Sequence, residues 1–483
     1  MKSRRILLNI LFVASLVLSC ILFVAGCRLP PFAPASPPKI ALTMEEKTRI
    51  TKEAALALEN AAEGLYPDAA AQNYVGSVGA RLVLAIPENH PRNYPFTFRV
   101  LGSKMVNAFA MPGGYVYVTR GLLEAVANED QLAAVLAHQL AHITMGHFDS
   151  RAYELVTLDT GLGIRFPAES VEKQAPGAVS LPDGIVLALN IRRFRFTMDD
   201  ENQADSIAMQ YLARTLKYNP RAVINVRQIL DAVTISPLDK LRAWPYTHHA
   251  SRDEPAQLTS MLKAKYPEYA GNGKGFIASD PAVAEMLKIE PAFEAFEEGR
   301  KQCDLGERML RAGFPKNARE RLEAAVKQYD AAISLAKENG RELSMFYSAR
   351  GLAYYALFQG ANDPKLRKKA LDDVSDARRT DSQNFVARLF HGYFLMVDGF
   401  YVPASEDLVE AARLNPGGEY GSLGYFRAAQ LYDTAAFDGH DTRKAARYYE
   451  LCLALDPLGP EAPAAKERLK ALKPDSPMLK ILQ

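Results

Sequence analysis

"AAVLAHQLAHITMGH" (133–147) is an apolar helix with two histidines set into it. His138 and His142 lie four residues apart and project from one face, which is how two imidazoles reach a single metal ion. Two histidines alone decide little, because helices acquire this spacing by chance, so a third ligand has to be found. "DDENQADSIAMQYL" (199–212) offers one. Glu201 and Asp205 share a face of a second helix whose other face is apolar. Glu201 completes a His-His-Glu set for one zinc ion per chain, with the fourth position open. Asp205, one turn on, is placed to accept a histidine N–H and fix its tautomer. His147 follows His142 by five residues, out of step with a third-ligand spacing of six, and reads as a supporting or structural residue.

The residue after His138 is Gln139. In a His-Glu-x-x-His helix the carboxylate at that place takes a proton from water and returns it to the leaving amine. An amide does neither at ordinary pH, so Gln139 is a degenerate general-base position. Metal binding does not depend on it, and the loss of one negative charge favours bound anions such as a peptide carboxylate. Three readings stay open. The site binds but cleaves little; or it is an active endopeptidase, with a replacement base or with Gln139 introduced in place of a glutamate; or the chain is a metal-free repeat adaptor.

With 483 residues the chain is long enough for two or more domains. Fifty-eight basic against 56 acidic residues leave a net charge of +2, so no strong nucleic-acid field is implied and no nucleic-acid partner is expected. "MKSRRILLNILFVASLVLSCILFVAGC" (1–27) places basic residues before an apolar run that ends in Ala-Gly-Cys, the pattern of a lipoprotein signal with Cys27 as the lipidated residue. Cys20 is a second candidate, and a plain transmembrane anchor is the alternative. "RLPPFAPASPPKI" (28–40) has five prolines and nothing to pack, so residues 28–41 read as a tether. Cys303 and Cys452 are left, and their pairing is not readable from sequence.

Residues 43–86 read as helices and "YPFTFRVLG" (94–102) and "GGYVYVTRG" (113–121) as strands. Asn128 caps the histidine helix, with Gln131 three residues on. Residues 148–190 lose periodicity and read as a mobile loop over the site, and a helix resumes at about Asp199. "GNGKG" (271–275) marks a linker over 266–295. From 296 to 475 the chain is helical, with repeated endings at Asp381, Asn415 and Asp456 and small or aromatic residues (Tyr354, Tyr355, Gly392, Tyr393, Ala428, Tyr432, Ala446) at pair-packing positions, as in tetratricopeptide repeats.

"NAFAMPGGYVYVTRGLL" (107–123), the His-x-x-x-His helix and Glu-x-x-Ala-Asp together resemble peptidase family M48, the HtpX-like and CAAX-prenyl-protease-like zinc metallopeptidases. The order of signal, peptidase domain and repeats is similar to its BepA-like periplasmic members, which act in outer-membrane protein quality control. The resemblance implies an α+β zincin-like domain over 42–265, mostly helical with a small sheet, followed by an all-α tetratricopeptide-like solenoid. It implies zinc on His138, His142 and Glu201, and an edge strand of Tyr115, Val116, Tyr117 and Val118 that pairs with an extended peptide. Thr247-His248 resembles a Thr-His-Pro segment that brings His248 towards the metal, although no proline follows. Gln139, Gln203 and Met198 depart from the pattern, where glutamate, glutamate and arginine are common. The implied setting is the periplasm, lipid-anchored to the outer rather than the inner membrane, with unfolded or assembling envelope proteins held by the peptidase groove and the repeats.

Overall fold

The computed structural model describes residues 42–159, 165–168, 183–191, 194–232, 254–269, 288–414 and 420–482. Cys27, the tether and Thr247-His248 lie outside them, as do Cys20, Asn415 and "GNGKG". Helix α1 (Met44–Ala61) opens on a capping box, in which Thr43 and Glu46 satisfy each other's backbone N–H groups. Helix α2 (Ala69–Ala85) is capped by Asp68.

The sheet follows, with β1 (Thr97–Leu101), β2 (Ala108–Ala110) and β3 (Tyr115–Thr119) in the order β1-β3-β2. β1 runs parallel and β2 antiparallel to β3. The expectation of an edge at Tyr115–Val118 is therefore corrected: β3 is the central strand, bonded on both sides, and Val116, Tyr117 and Val118 are buried. The outer edge belongs to β2, whose three residues are too short to show an alternation in sequence.

A short helix α3 (Arg120–Ala125) leads to the histidine helix α4 (Glu129–Thr144). Asn128 accepts from the Gln131 N–H at 2.9 Å, and Gln131 reaches back to the Ala127 N–H at 2.6 Å, one residue beyond an ordinary capping box. Every residue from Asp130 to Thr144 is buried, so α4 is the axis of the domain and its polar side chains must find partners inside it.

Next come α5 (Ala152–Val156), a two-stranded hairpin of β4 (Thr157–Asp159) and β5 (Arg165–Pro167), and α6 (Asp183–Ile191). The loop expected over 148–190 is thus corrected in part. "DGIVLALNI" is apolar all round, which hides its period in sequence, and it packs on α1 with Gly184 so close to Glu53 that an added Cβ would lie 2.5 Å from that residue's Cβ. Helices α7 (Met198–Arg214), α8 (Ala222–Ala232) and α9 (Glu254–Lys265) complete this half.

The second half stacks α10 (Glu290–Arg311) with α11 (Pro315–Glu338), α12 (Ser344–Ala361) with α13 (Pro364–Thr380), α14 (Phe385–Val397) with α15 (Tyr401–Leu414), and α16 (Gly421–Tyr432) with α17 (Thr442–Leu455). Helices α18 (Ala462–Leu472) and α19 (Pro477–Ile481) close the stack. Gly351 and Gly392 sit where paired helices cross: a Cβ on Gly392 would lie 2.9 Å from Leu408, and one on Gly351 3.0 Å from Val374. Asp381 and Asp456 are the C-caps of α13 and α17, which is why those endings repeat in sequence. Cys303 and Cys452 are both buried and free. Among the described residues no helix is long and apolar enough to cross a membrane.

The stretch read as linker to residue 295 ends in solenoid, because α10 begins at Glu290. Its first turns pack on the sheet side of the peptidase-like half. Phe293 stacks on Tyr66 at 5.7 Å, and Arg120, fully buried, bonds Glu290 and lies 4.5 Å over the Phe293 ring.

Candidate metal centre

Three elements meet at the C-terminal half of α4. The helix itself aims His138 and His142 at α7, and α7 returns Glu201 and Asp205 from its first two turns. Thr197 starts α7 with a second capping box, through Asp200, which fixes the turn on which Glu201 stands. Phe196, just before that cap, stacks on the His142 ring with 3.5 Å between centroids and 14° between planes.

The donor atoms converge. His138 Nε2 and His142 Nε2 are 3.0 Å apart, and Glu201 stands 3.5 Å from the first and 3.6 Å from the second. His142 and Glu201 are wholly buried and His138 nearly so. Oε2 of Glu201 faces His138 and Oε1 faces His142, and since a tetrahedral ion with bonds of about 2.0–2.1 Å separates its ligands by about 3.3–3.5 Å, the three side chains already lie close enough to share one ion.

Hydrogen bonding decides which nitrogens are bare. Asp205 Oδ1 accepts from His138 Nδ1 at 2.7 Å, leaving His138 Nε2 as a lone pair. His147 Nε2 donates to Gln203 Oε1 at 2.8 Å, so His147 Nδ1 is an acceptor and takes the His142 Nδ1–H at 2.8 Å. His142 Nε2 is then bare as well. Two lone pairs and a carboxylate facing one point repel each other unless a cation lies between them, so the donor set fits a metal ion.

His147 reaches this place because Gly146 adopts a positive φ of 70°, turning the chain back so that the His147 N–H bonds the His142 carbonyl at 3.1 Å. The six-residue spacing of a third ligand is therefore irrelevant to it. It touches a ligand from behind and supports it.

Arg227 of α8 was not foreseen. It donates to Asp205 at 2.9 Å and to Glu201 at 2.8 Å, from a nearly buried position. Its sequence signal is slight: it is the single cation of α8, AVINVRQILDA, 22 and 26 residues from its partners. Burial alone would raise the Asp205 pKa, but Arg227 and His138 outweigh it and hold the carboxyl below its usual range. Burial likewise works against the charged form of His138, and Asp205 beside it overcomes that and holds the imidazole pKa above its ordinary value. With both imidazoles neutral, as ligands, two carboxylates against one guanidinium leave one negative charge, which a divalent cation converts to one positive.

Gln139 is buried beside His138 and lines a cavity of about 30 Å³ with Asn107, Ala108, Val135 and Arg227. Ala108 comes from β2. The Thr119 N–H bonds Asn107 and the Met111 N–H bonds Tyr115, so the alternate residues Ala108 and Ala110 turn their backbone groups to the outer edge. Among the described residues no strand pairs with that edge, which is itself buried and borders the same cavity as His138. Met198, the third departure, is a partly exposed residue in the first turn of α7.

Residues 69–285 match the sequence profile of Peptidase family M48. The chain is 26% identical over 230 residues to the Beta-barrel assembly-enhancing protease of Escherichia coli (strain K12), covering 43% of this chain and 45% of that protein. The protein of the same name from Yersinia pestis is 32% identical over 161 residues, 32% of each chain. Bos taurus Metalloendopeptidase OMA1, mitochondrial, is 29% identical over 205 residues, 41% of this chain and 39% of that one. The chain thus spans less than half the length of the curated relatives it matches.

Proposed function

Since residues 69–285 match the profile of Peptidase family M48, we propose that the chain is a zinc-binding, lipid-anchored protein of the bacterial envelope that holds extended segments of unfolded or assembling envelope proteins and cleaves them weakly or not at all. The observation that carries this reading is Gln139, an amide against the first histidine ligand and on the wall of the cavity, where proton transfer needs a carboxylate. The Cys27 lipobox motivates the anchor, and the names of the relatives motivate the client class.

Zinc, when bound by His138, His142 and Glu201, polarises a carbonyl or a water molecule and stabilises negative charge. The chain's own residues do the rest. Asp205 and the His147–Gln203 pair keep both imidazoles in the ligating tautomer. Arg227 orients Glu201 and neutralises Asp205. The outer edge of β2 pairs with an extended backbone, which favours disordered clients. Gln139 offers an amide at the reacting position but moves no proton, and it leaves the loaded centre with the net positive charge that a glutamate would cancel.

Metal analysis and a casein-cleavage assay test this together. About one zinc per chain, lost in His142→Ala, with no cleavage above that of His142→Ala, is the expected result. Cleavage by the unmutated protein that disappears in His138→Ala would return the chain to the active endopeptidases, and zinc far below one per chain after reconstitution would leave the repeat adaptor.

A further inference from the structure

The turns that join paired solenoid helices expose large apolar side chains that the fold has no need to expose. Phe314 is 59% exposed in the α10–α11 turn, and Val397, Phe400 and Val402 are 57%, 60% and 62% exposed at the α14–α15 turn. Both phenylalanines are presented by the same device. Gly313 and Gly399 take φ of 82° and 83°, and the next residue's N–H bonds the carbonyl five residues back, Phe314 to Met309 and Phe400 to Leu395, each at 2.9 Å. In this helix-ending motif the residue after the glycine ordinarily packs back on the last turn of its helix. Here it is held out to solvent, twice, in units two repeats apart.

The turns form one row. The end of α12 lies beside the end of α10, where a Cβ on Gly360 would sit 3.4 Å from Leu310. Arg367 at the start of α13 bonds Asp398 at 2.7 Å, and Tyr401 meets Phe437 of the α16–α17 turn at 6.1 Å. The opposite ends of the same helices face the peptidase-like half, through Phe293 on Tyr66, Arg341 on Asp68 and the Phe385 N–H on Asn60. Among the described residues, the row therefore lies at the helix ends that do not meet the other half.

Its unpaired charge leans positive. The acids at the tips are engaged, Asp363 in capping α13 and Asp398 with Arg367. Arg311, Lys316 and Lys365 are exposed and have no ion-pair partner among the described residues, against exposed Asp438 and Glu406 along the row. We propose that this row of turns is a membrane-resting surface, in which Phe314, Phe400 and their aliphatic neighbours enter the interface of a bilayer of anionic phospholipid while the flanking cations meet its headgroups. Exposed aromatic and aliphatic tips with unpaired cations beside them suit the interface of an anionic bilayer, where rings enter the headgroup layer and cations meet phosphate.

The test uses residues 28–483, since all described contacts lie in the unit that begins at Ala41 and no lipid anchor is then present. This protein is expected to sediment with phosphatidylcholine vesicles that contain phosphatidylglycerol, less with phosphatidylcholine alone, and less as salt is raised. Each cation near an anionic surface is worth roughly fivefold in partition, so Lys316→Glu with Lys365→Glu should weaken binding by tenfold or more. Phe314→Ser with Phe400→Ser should weaken it by about tenfold with zinc content and melting temperature unchanged, since neither ring is in the core. No sedimentation with phosphatidylglycerol vesicles would overturn the proposal, as would undiminished binding by the double phenylalanine variant. A concentration-dependent dimer abolished by that variant, without vesicle binding, would assign the tips to a second copy of the chain instead.

Discussion

At the scale of single residues, the proposed function turns on Gln139, an amide where a His-Glu-x-x-His helix carries a carboxylate. Gln139→Glu alters side-chain volume hardly at all and restores an acceptor that can pass its proton on. General-base catalysis contributes about 10²–10⁴ in rate, so the variant is expected to cleave casein faster than the parent by that order. Zinc-loaded Gln139→Glu that stays inactive would show a site altered beyond one residue. The His147–Gln203 pair makes a separate prediction. Gln203→Leu removes the acceptor that orients His147, and with it the reason for His142 to present a bare Nε2. Loss of such a supporting hydrogen bond typically costs 10–100-fold in metal affinity, measurable by competition with a chelating dye and independent of any activity. The ligands and Asp205 were readable because helical spacing fixes side-chain direction over one turn. The work of His147 was not, because it depends on the positive φ of Gly146, and the role of Arg227 was not, because a partner 22 residues away leaves no local period.

At the scale of elements, the same distinction separates what pattern reveals from what packing decides. The amphipathic helices, the caps at Asn128 and Thr43, and the C-capping aspartates of α13 and α17 follow from local rules. The position of β3 in the middle of its sheet does not, since strand order is set by which neighbours close on it, and β2 is only three residues long. In the solenoid, Asp407 of α15 shows what holds a repeat to the one before it. It is buried, and it accepts from Arg378 of α13 at 2.8 Å and from Arg388 and His391 of α14 at 2.9 and 2.6 Å. Burial raises its pKa, but His391 and Arg378 outweigh that and hold it below the usual carboxylate value. As pH falls, the unfolded chain therefore takes up the proton first. The stabilisation is full above about pH 5 and fades as pH drops through the unfolded and then the folded value. Asp407→Ala is expected to cost about 2 kcal/mol near neutrality, less than for a fully buried network because Arg378 is over a third exposed. In urea titrations the gap to the parent should narrow at pH 4 and below, and a gap that does not change with pH would remove the charge network as its cause.

At the scale of the whole molecule, the two halves are joined by buried charge as well as by apolar contact. Arg120 follows β3 directly and is sealed by Phe293; it donates to the Gly102 carbonyl at 3.0 Å and bonds Glu124 and Glu290. Arg300 of α10 bonds Glu63 at 2.6 Å, at a residue held in the left-handed region with φ of 66°. Neither joint is visible in the sequence, where Arg120 and Glu290 are 170 residues apart and the intervening stretch reads as a spacer. Their geometry changes what removal of the solenoid should do. A peptidase-like half cut off before Glu290 would expose Tyr66 and leave Arg120 uncovered, so truncation tests the interface as much as the repeats. Glu290→Ala is the sharper experiment. It leaves Arg120 buried with Glu124 as its remaining carboxylate, and removing one partner of a buried pair costs about 3–5 kcal/mol. The parent is expected to unfold in one calorimetric transition, because the solenoid's first turns complete the core of the preceding half. Glu290→Ala combined with Arg300→Ala should split it into two, the lower belonging to the half that carries the His-His-Glu site and accompanied by release of metal loaded there. Two transitions already present in the parent, with zinc release unaffected by either substitution, would mean that the halves fold independently and that the charges at their joint only orient them.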